Sequence, residues 1–384
     1  MPKKSIKVAV NPSVFNWLRE SAGWTVEDVS KRLKTSVEII EGFESGKREP
    51  TLRQLRELSQ AFKRPLAAFL LSKPKKEKPS PKDYRMLPDK VDIFEKKTIA
   101  VLRKARSLQE IGRDLSRNID YQTKPKVERV KTTDNPEKVA EKYRKIFGLS
   151  EEKQKEFKTS YGFFKYLRDV LGDMNILVFQ FSMPVKDARG FVLVDASPNI
   201  IVVSTKDSIE ARLFSLMHEF AHILLGESVI DLPDIQVTTG DKIELWCNDF
   251  SSSFLLPPEI SKTLFESKQG VLTHTKMLNT FSRRYKVSKA MILFNMFKLK
   301  YITKTDYEEV LERYKPRDIL VEKKKEKKGG GMPSDKRCLS EVGTKFVSIV
   351  ANNYDRDYIT YTDALNYLSI KSKNFDKVLA KARK

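Results

Sequence analysis

The stretch Ala211-Arg-Leu-Phe-Ser-Leu-Met-His-Glu-Phe-Ala-His-Ile-Leu-Leu-Gly226 constrains this chain more than any other. His218, Glu219 and His222 sit among Leu213, Phe214, Leu216, Met217, Phe220, Ala221, Ile223, Leu224 and Leu225. A helix that is apolar on nearly every side is a buried helix. Burying an imidazole or a carboxylate without a partner is costly, so three such groups within two turns call for a shared one. At i, i+4 the two histidines lie on one helix face, where both ring nitrogens reach a single tetrahedral cation, and the intervening Glu stands beside the remaining position. The spacing therefore predicts a buried zinc helix of the hydrolase kind, closed by Gly226 as its C-cap. The plain alternative is a pair of satisfied core histidines. Against it, the chain has 3 His and two of them flank a Glu at ligand spacing. His274 has no partner at such spacing and reads as a surface residue.

Two histidines do not complete a protein zinc site. The best third ligand is Glu244, which opens Glu244-Leu-Trp-Cys-Asn-Asp-Phe-Ser-Ser-Ser-Phe-Leu-Leu-Pro257, an amphipathic helix stopped by Pro257 and Pro258. The plain reading of Glu244 is a helix-starting carboxylate favoured by the macrodipole. Asn248, four residues on, would stand behind Glu244 as a hydrogen-bonding support. Cys247 is a thiol on the same helix and ranks behind Glu244 as a ligand.

A chain of 384 residues holds two or three domains, and 40% apolar residues suffice for real cores. The formal charge of +22 points to a polyanion such as nucleic acid as a partner, with a lysine-rich surface as the bland alternative. Only 2 Cys, Cys247 and Cys338, exclude a disulfide framework and fit a reducing compartment. The start Met-Pro-Lys-Lys-Ser-Ile-Lys has no apolar core, and no run approaches a membrane span. The expectation is a cytoplasmic protein with no membrane partner.

Residues 14–71 show five short helical patterns: Val14 to Ala22, Thr25 to Lys34, Ser36 to Glu44, Thr51 to Phe62 and Pro65 to Leu71. Thr25 with Asp28, Ser36 and Thr51 mark starts, and Gly46 marks a stop. A short turn between the second and third is the spacing of a helix-turn-helix. Trp24-Thr-Val-Glu-Asp-Val-Ser-Lys-Arg-Leu33 and Glu44-Ser-Gly-Lys-Arg-Glu-Pro-Thr-Leu-Arg-Gln-Leu55 resemble the XRE-type, lambda-repressor-like domain. In that family the third helix enters the major groove, and here the base-facing positions would be Val37, Glu38, Glu41 and Gly42. Two carboxylates near phosphates are repulsive, which disfavours sequence readout by this helix. Lys47, Arg48 and Arg53 remain for phosphate contacts. DNA binding and a protein-docking role both stay open for this domain.

Lys73-Pro-Lys-Lys-Glu-Lys-Pro-Ser-Pro-Lys82 reads as a semi-extended linker. Beyond it come helical patterns at Phe94 to Asn118, Pro136 to Phe147 and Tyr161 to Leu171. The period then becomes strand-like in Asn175 to Phe181, Gly190 to Asp195 and Asn199 to Ser204, which predicts a small sheet beside the metal helix. Gly190-Phe191, Pro198-Asn-Ile-Ile-Val202, Arg212 to His222 and Glu244-Leu-Trp-Cys-Asn248 leading to Phe254-Leu-Leu-Pro257 resemble the ImmA/IrrE (M78-like) family of zinc metallopeptidases. The resemblance spans residues 84 to 315. It implies His218, His222 and Glu244 as Zn²⁺ ligands, Glu219 as general base, and a protein substrate that is a transcriptional repressor or similar regulator. It also makes an N-terminal XRE domain on the same chain a familiar arrangement.

Thr275 to Tyr285 and Ser288 to Lys298 look like a second helix-turn-helix pair, read here as a plain helical cap, followed by Thr305 to Tyr314. Glu322-Lys-Lys-Lys-Glu-Lys-Lys-Gly-Gly-Gly331 reads as a linker, and Ser340 to Asn353, Thr362 to Leu368 and Ser372 to Ala382 as a three-helix appendage without assigned chemistry. The expected architecture is α+β, mostly α. It comprises a five-helix XRE-type domain (1–72), a linker (73–83), a zincin-like metallopeptidase domain with a small sheet and helical cap (84–318), a linker (319–334) and a small helical C-terminal domain (335–384). The expected function is a zinc endopeptidase cutting a regulator in a stress, phage or toxin-antitoxin response. Its rivals are a DNA-binding regulator whose metal domain senses without cutting, and an antitoxin or immunity partner. Glu219 separates them, because a sensor needs the histidines but no base between them.

Overall fold

The computed structural model describes residues 6–75, 94–121, 124–226, 230–231, 242–267, 272–314 and 332–383. The linkers expected at 73–83 and 319–334 fall largely outside them. The described residues divide into two compact units, the first holding 6–75 together with 94–104 and the second those from 105 onward.

The first unit contains α1 (Pro12–Glu20), α2 (Val26–Leu33), α3 (Val37–Glu44) and α4 (Leu52–Phe62). The fifth expected helix is a 3-10 segment, Leu66–Leu70, because Lys63 ends α4 in the left-handed conformation and only five residues separate Pro65 from the extended Leu71. The starts follow the sequence signals: Thr25 with Asp28 and Thr51 with Gln54 form reciprocal capping boxes. Val14, Phe15, Leu18, Val29, Ile40, Leu55, Leu58, Phe62 and Phe69 are fully buried and make the core. The first residues of α5 (Lys96–Asn118) belong to this unit and not to the peptidase domain in which the sequence reading placed them. The reason is local chemistry: the Lys96 ammonium pairs with Asp28 at 2.6 Å and lies over the Trp24 ring, and Arg103 donates to the Phe62 carbonyl at 3.0 Å.

The second unit adds α6 (Pro136–Ile146), α7 (Glu151–Glu156) and α8 (Ser160–Asp173), then β1 (Ile176–Phe181), β2 (Gly190–Leu193) and β3 (Asn199–Ser204). Next come α9 (Ile209–Leu225), a short β4 (Ile230–Asp231) and α10 (Lys242–Leu255). The sheet runs β1-β3-β2-β4, with β1 parallel to β3 and the other pairs antiparallel. The fourth strand was absent from the sequence reading. Every residue of β1, β2 and β3 is buried, which matches their unbroken apolar runs and means that both faces are covered. The helices α11 (Pro258–Glu266), α12 (Thr275–Tyr285), α13 (Lys289–Lys298) and α14 (Lys304–Tyr314) extend the same core through Phe265, Phe281, Ile292 and Met296.

The outer cover of the sheet comes from the end of the chain: α15 (Ser334–Asp355) packs on β1, and α16 (Tyr361–Leu368) and α17 (Phe375–Ala382) pack on α15. Residues 335–384, expected as a separate small domain, lie in the same unit as the sheet. The physical reason is that α15 has apolar surface fitted to β1: Phe346 is fully buried and meets Phe179 edge to face at 5.7 Å. A polar clasp reinforces this contact. The helix breaks at Gly343, whose φ of +79° is open to glycine, and there Arg168 of α8 donates to the carbonyls of Leu339, Ser340 and Glu341 as well as to Val178 of β1. Four carbonyls around one buried guanidinium satisfy both the charge and the free end of the first helical half.

Candidate metal centre

Three elements converge on the site. Ser208 caps α9 by accepting from the Ala211 amide at 3.2 Å, and Gly226 closes it with φ of +85°. Arg129 donates to the Ile223 carbonyl at 3.1 Å, and a Cβ on Gly226 would stand 2.0 Å from its Nη1. The C-cap is therefore glycine for two reasons, backbone conformation and the guanidinium packed on it. Between these ends His218, Glu219 and His222 are buried to within 1% of full exclusion.

The first turn of α10 brings Glu244, itself 1% exposed, onto the two histidines. His218 Nε2 and His222 Nε2 are 3.2 Å apart. Glu244 places Oε2 at 3.3 Å from the first and Oε1 at 3.4 Å from the second. Metal–donor bonds of about 2.0–2.2 Å arranged as a tetrahedron separate neighbouring donors by roughly 3.3–3.6 Å. The two ring nitrogens and the Glu244 carboxylate, which sets one oxygen against each ring, thus stand at the mutual spacing that a small tetrahedral cation requires, and the residues present fit a metal. Burial by itself would raise the Glu244 pKa, but hydrogen bonds and charge from His218 and His222 outweigh it and hold the carboxyl far below the usual range. An ionised carboxylate is the state in which Glu244 can ligate.

Two contacts at this centre escape sequence reasoning. Cys247, buried on the inner face of α10, puts Sγ at 3.6 Å from His222 Nδ1, the ring nitrogen turned away from the other donors. A group behind a ligating histidine fixes its tautomer and ring orientation. Asn248, expected in a supporting role, is half-buried in the next position, and the observed contact to the imidazole comes from Cys247. The second contact involves Gly190, the first residue of β2. A Cβ there would meet Glu219 Oε1 at 2.8 Å and the Val202 carbonyl at 2.9 Å, so the base candidate is seated against a strand that only glycine leaves open. A glycine at the head of an apolar strand is the one signal in the sequence that pointed there.

Lys47, Arg48 and Arg53 are exposed in the first unit, and Arg48 lies along α3 over Gly42. Glu38 and Glu41 are exposed on the same helix. The Ser36 side chain and the Glu38 amide hold Glu38 below the ordinary carboxylate range, so it is charged at neutral pH.

Comparison with protein families agrees with this geometry. Residues 171–297 match the Peptidase_M78 model, an IrrE N-terminal-like domain. Residues 171–297 form a domain of the M78 type. The match runs from the end of α8 through the sheet, the metal helix and α10 into α13. Residues 16–69 match a helix-turn-helix model, which covers α1 to the 3-10 segment. A search among curated proteins gives no match. An M78 domain and an XRE-type helix-turn-helix therefore share one chain, and among the described residues no helix is long and apolar enough to cross a membrane.

Proposed function

We propose that this chain is a zinc-dependent endopeptidase that cuts a transcriptional repressor or similar regulator. The observation that carries the reading is the buried Glu219, adjacent in sequence to one donor of a complete three-donor centre and seated against β2. A binding or sensing site needs the donors but has no use for a further buried carboxylate. Zinc is the favoured ion because two imidazoles and one carboxylate in tetrahedral arrangement are a catalytic zinc donor set. Held by His218, His222 and Glu244, it would supply Lewis-acid polarisation of the scissile carbonyl and a more acidic water. Glu219 takes the proton of the attacking water and returns it to the leaving amine. Cys247 keeps the His222 ring oriented, and the burial of His218, Glu219, His222 and Glu244 keeps bulk water off the reacting groups. An extended substrate segment would be held by strand addition at the sheet edge.

The N-terminal unit positions the enzyme on DNA or on a DNA-bound regulator, with Lys47, Arg48 and Arg53 giving salt-sensitive phosphate contacts and Glu38 and Glu41 limiting sequence discrimination. The decisive experiment compares the proteomes of cells carrying wild type and Glu219→Gln. A fragment made only by wild type, with zinc retained in both proteins, supports proteolysis. Normal regulation by the Glu219→Gln form would refute it in favour of metal-dependent binding.

A further inference from the structure

The last part of the chain repeats the local geometry of the N-terminal helix-turn-helix, residue for residue at one constant offset. In the N-terminal unit the Asp28 amide donates to Thr25 Oγ1 at 3.2 Å and the Thr25 amide to Asp28 Oδ2 at 3.0 Å. At the C-terminus Asp363 and Thr360 make the same two bonds at 3.1 and 3.0 Å. Each capping box opens a helix of 8 residues, α2 and α16, and each helix ends on a left-handed residue, Lys34 with φ 52° and Ser369 with φ 53°. The residue after it closes the turn by an amide bond to a carbonyl five positions back, Thr35 to Ser30 and Ile370 to Leu365, both at 3.0 Å. The second helical segment then begins in register, as the α-helix α3 after Ser36 in one case and, in the other, as a 3-10 turn (Ser372–Asn374) after Lys371 that runs into α17. Its inward positions correspond as well: Ile40 and Phe43 are buried, and so are Phe375 and Val378.

The outward positions differ in charge. Where α3 exposes Glu38 and Glu41, the C-terminal segment exposes Lys371, Ser372, Lys373, Asp376 and Lys377. Lys381 and Arg383, farther along, are spent on ion pairs with Asp335 and Asp355 of α15, which anchor α17 without covering its lysine face. The same turn form recurs after α4 through the left-handed Lys63 and between α12 and α13 through Lys286, where Met291, Ile292, Leu293, Asn295 and Met296 are buried and Lys289 and Ala290 are half-buried. Turn geometry alone therefore marks no site, and the open cationic face does.

We infer that residues 360–382 are a second helix-turn-helix, whose Lys371, Lys373 and Lys377 contact the phosphates of duplex DNA. Duplex DNA is the occupant because the scaffold presents the N-terminal turn of its second helix outward, the part that enters a major groove, and because three lysines against one carboxylate complement a polyanion. Ser372 is the neutral polar side chain among them, so readout of base sequence is weak. The inference does not depend on proteolysis.

The test uses the full chain and a labelled mixed-sequence duplex, with binding followed by fluorescence anisotropy across a range of salt concentrations. Each phosphate contact contributes about 0.9 to the slope of log affinity against log salt. A K371A/K373A/K377A variant should bind at least tenfold more weakly at low salt and show a slope shallower by roughly two to three. A K138A/K142A/K145A variant removes the same charge from exposed positions of α6 and should change affinity less than twofold. The loss should persist when K47A/R48A/R53A is the background, which separates it from the N-terminal contacts. Equal losses in the C-terminal and α6 variants would overturn the inference, since net charge would then explain binding. Tighter binding of single-stranded RNA of the same length, equally reduced by the C-terminal variant, would overturn it as well.

Discussion

Gly190→Ala tests the seat of Glu219 without touching a metal donor. The added Cβ would lie 2.8 Å from Glu219 Oε1, 2.9 Å from the Val202 carbonyl and 3.2 Å from Glu219 Cγ, where ordinary contact begins at 3.4 Å. The Val202 carbonyl is fixed in the ladder that pairs Gly190 with Val203 and Phe191 with Val202, so the strand yields little. The Val202 contact therefore stays as strain in the strand, and the carboxylate must also move, by about 0.6 Å; misplacements approaching 1 Å cost up to about a hundredfold in rate. A loss of about ten- to a hundredfold in hydrolysis is expected, together with about 1–3 kcal/mol of stability from overpacking. His218, His222 and Glu244 stay in place, so zinc per chain should equal that of wild type. The assay combines elemental analysis, a denaturant melt and mass spectrometry of peptide fragments from a defined peptide library. Wild-type cleavage rates in the variant would refute the assignment of Glu219 to this seat, and loss of zinc would show that β2 supports the donors and not the base.

Three further outcomes are expected. Cys247→Ala removes the Sγ beside His222 Nδ1 and should weaken zinc binding by about 10–100-fold in a chelator competition, with the fold intact by circular dichroism. Arg168→Met leaves the carbonyls of Leu339, Ser340, Glu341 and Val178 without their donor and should lower unfolding free energy by about 3 kcal/mol or more; a change under about 1 kcal/mol in a urea melt would refute the clasp. Removing metal with a chelator should lower the calorimetric transition of the second unit by about 4 kcal/mol if the ion stands near a thousandfold above its Kd, and leave that of the first unit unmoved. Protons compete for the two imidazoles, so lowering the pH should reproduce the effect of the chelator.

The metal helix was legible because its argument is local: polar groups at i and i+4 in a segment with no polar face have few solutions. Glu244 was named from its place at the head of an amphipathic helix and from the family resemblance of its segment, while its meeting with His218 and His222 depends on the packing of α10 on α9. Gly190 and Cys247 were not, because their partners lie 29 and 25 positions away in the chain, and only the strand register and the packing of α10 on α9 bring them together. The destination of α15 was hidden as well. Its apolar stripe announces burial but not against what, and the fit of Phe346 to Phe179 depends on the parallel pairing of β1 with β3 across a long stretch of chain. The fifth N-terminal helix shortened to a 3-10 segment because pattern reading counts apolar spacing and not the room left between two turns.

Turns of one backbone form recur among the described residues and differ in what the helical segment after them shows to solvent. In α13 the outward positions are closed by α11 and α14, and the unit is pure packing. In α3 they carry carboxylates, which repel a phosphate backbone unless the cations beside them, Lys47, Arg48 and Arg53, lie closer to it. In the segment after Lys371 they carry lysines on the outward side, and the electrostatic term favours a nucleic acid without any rearrangement. A capping box followed by a left-handed C-cap fixes the angle between two helices, because both ends of the first helix are satisfied within the turn itself. The fold therefore leaves the outward residues unconstrained by stability, and it is there that one scaffold can become a packing element, a weak docking module or a DNA-contacting arm.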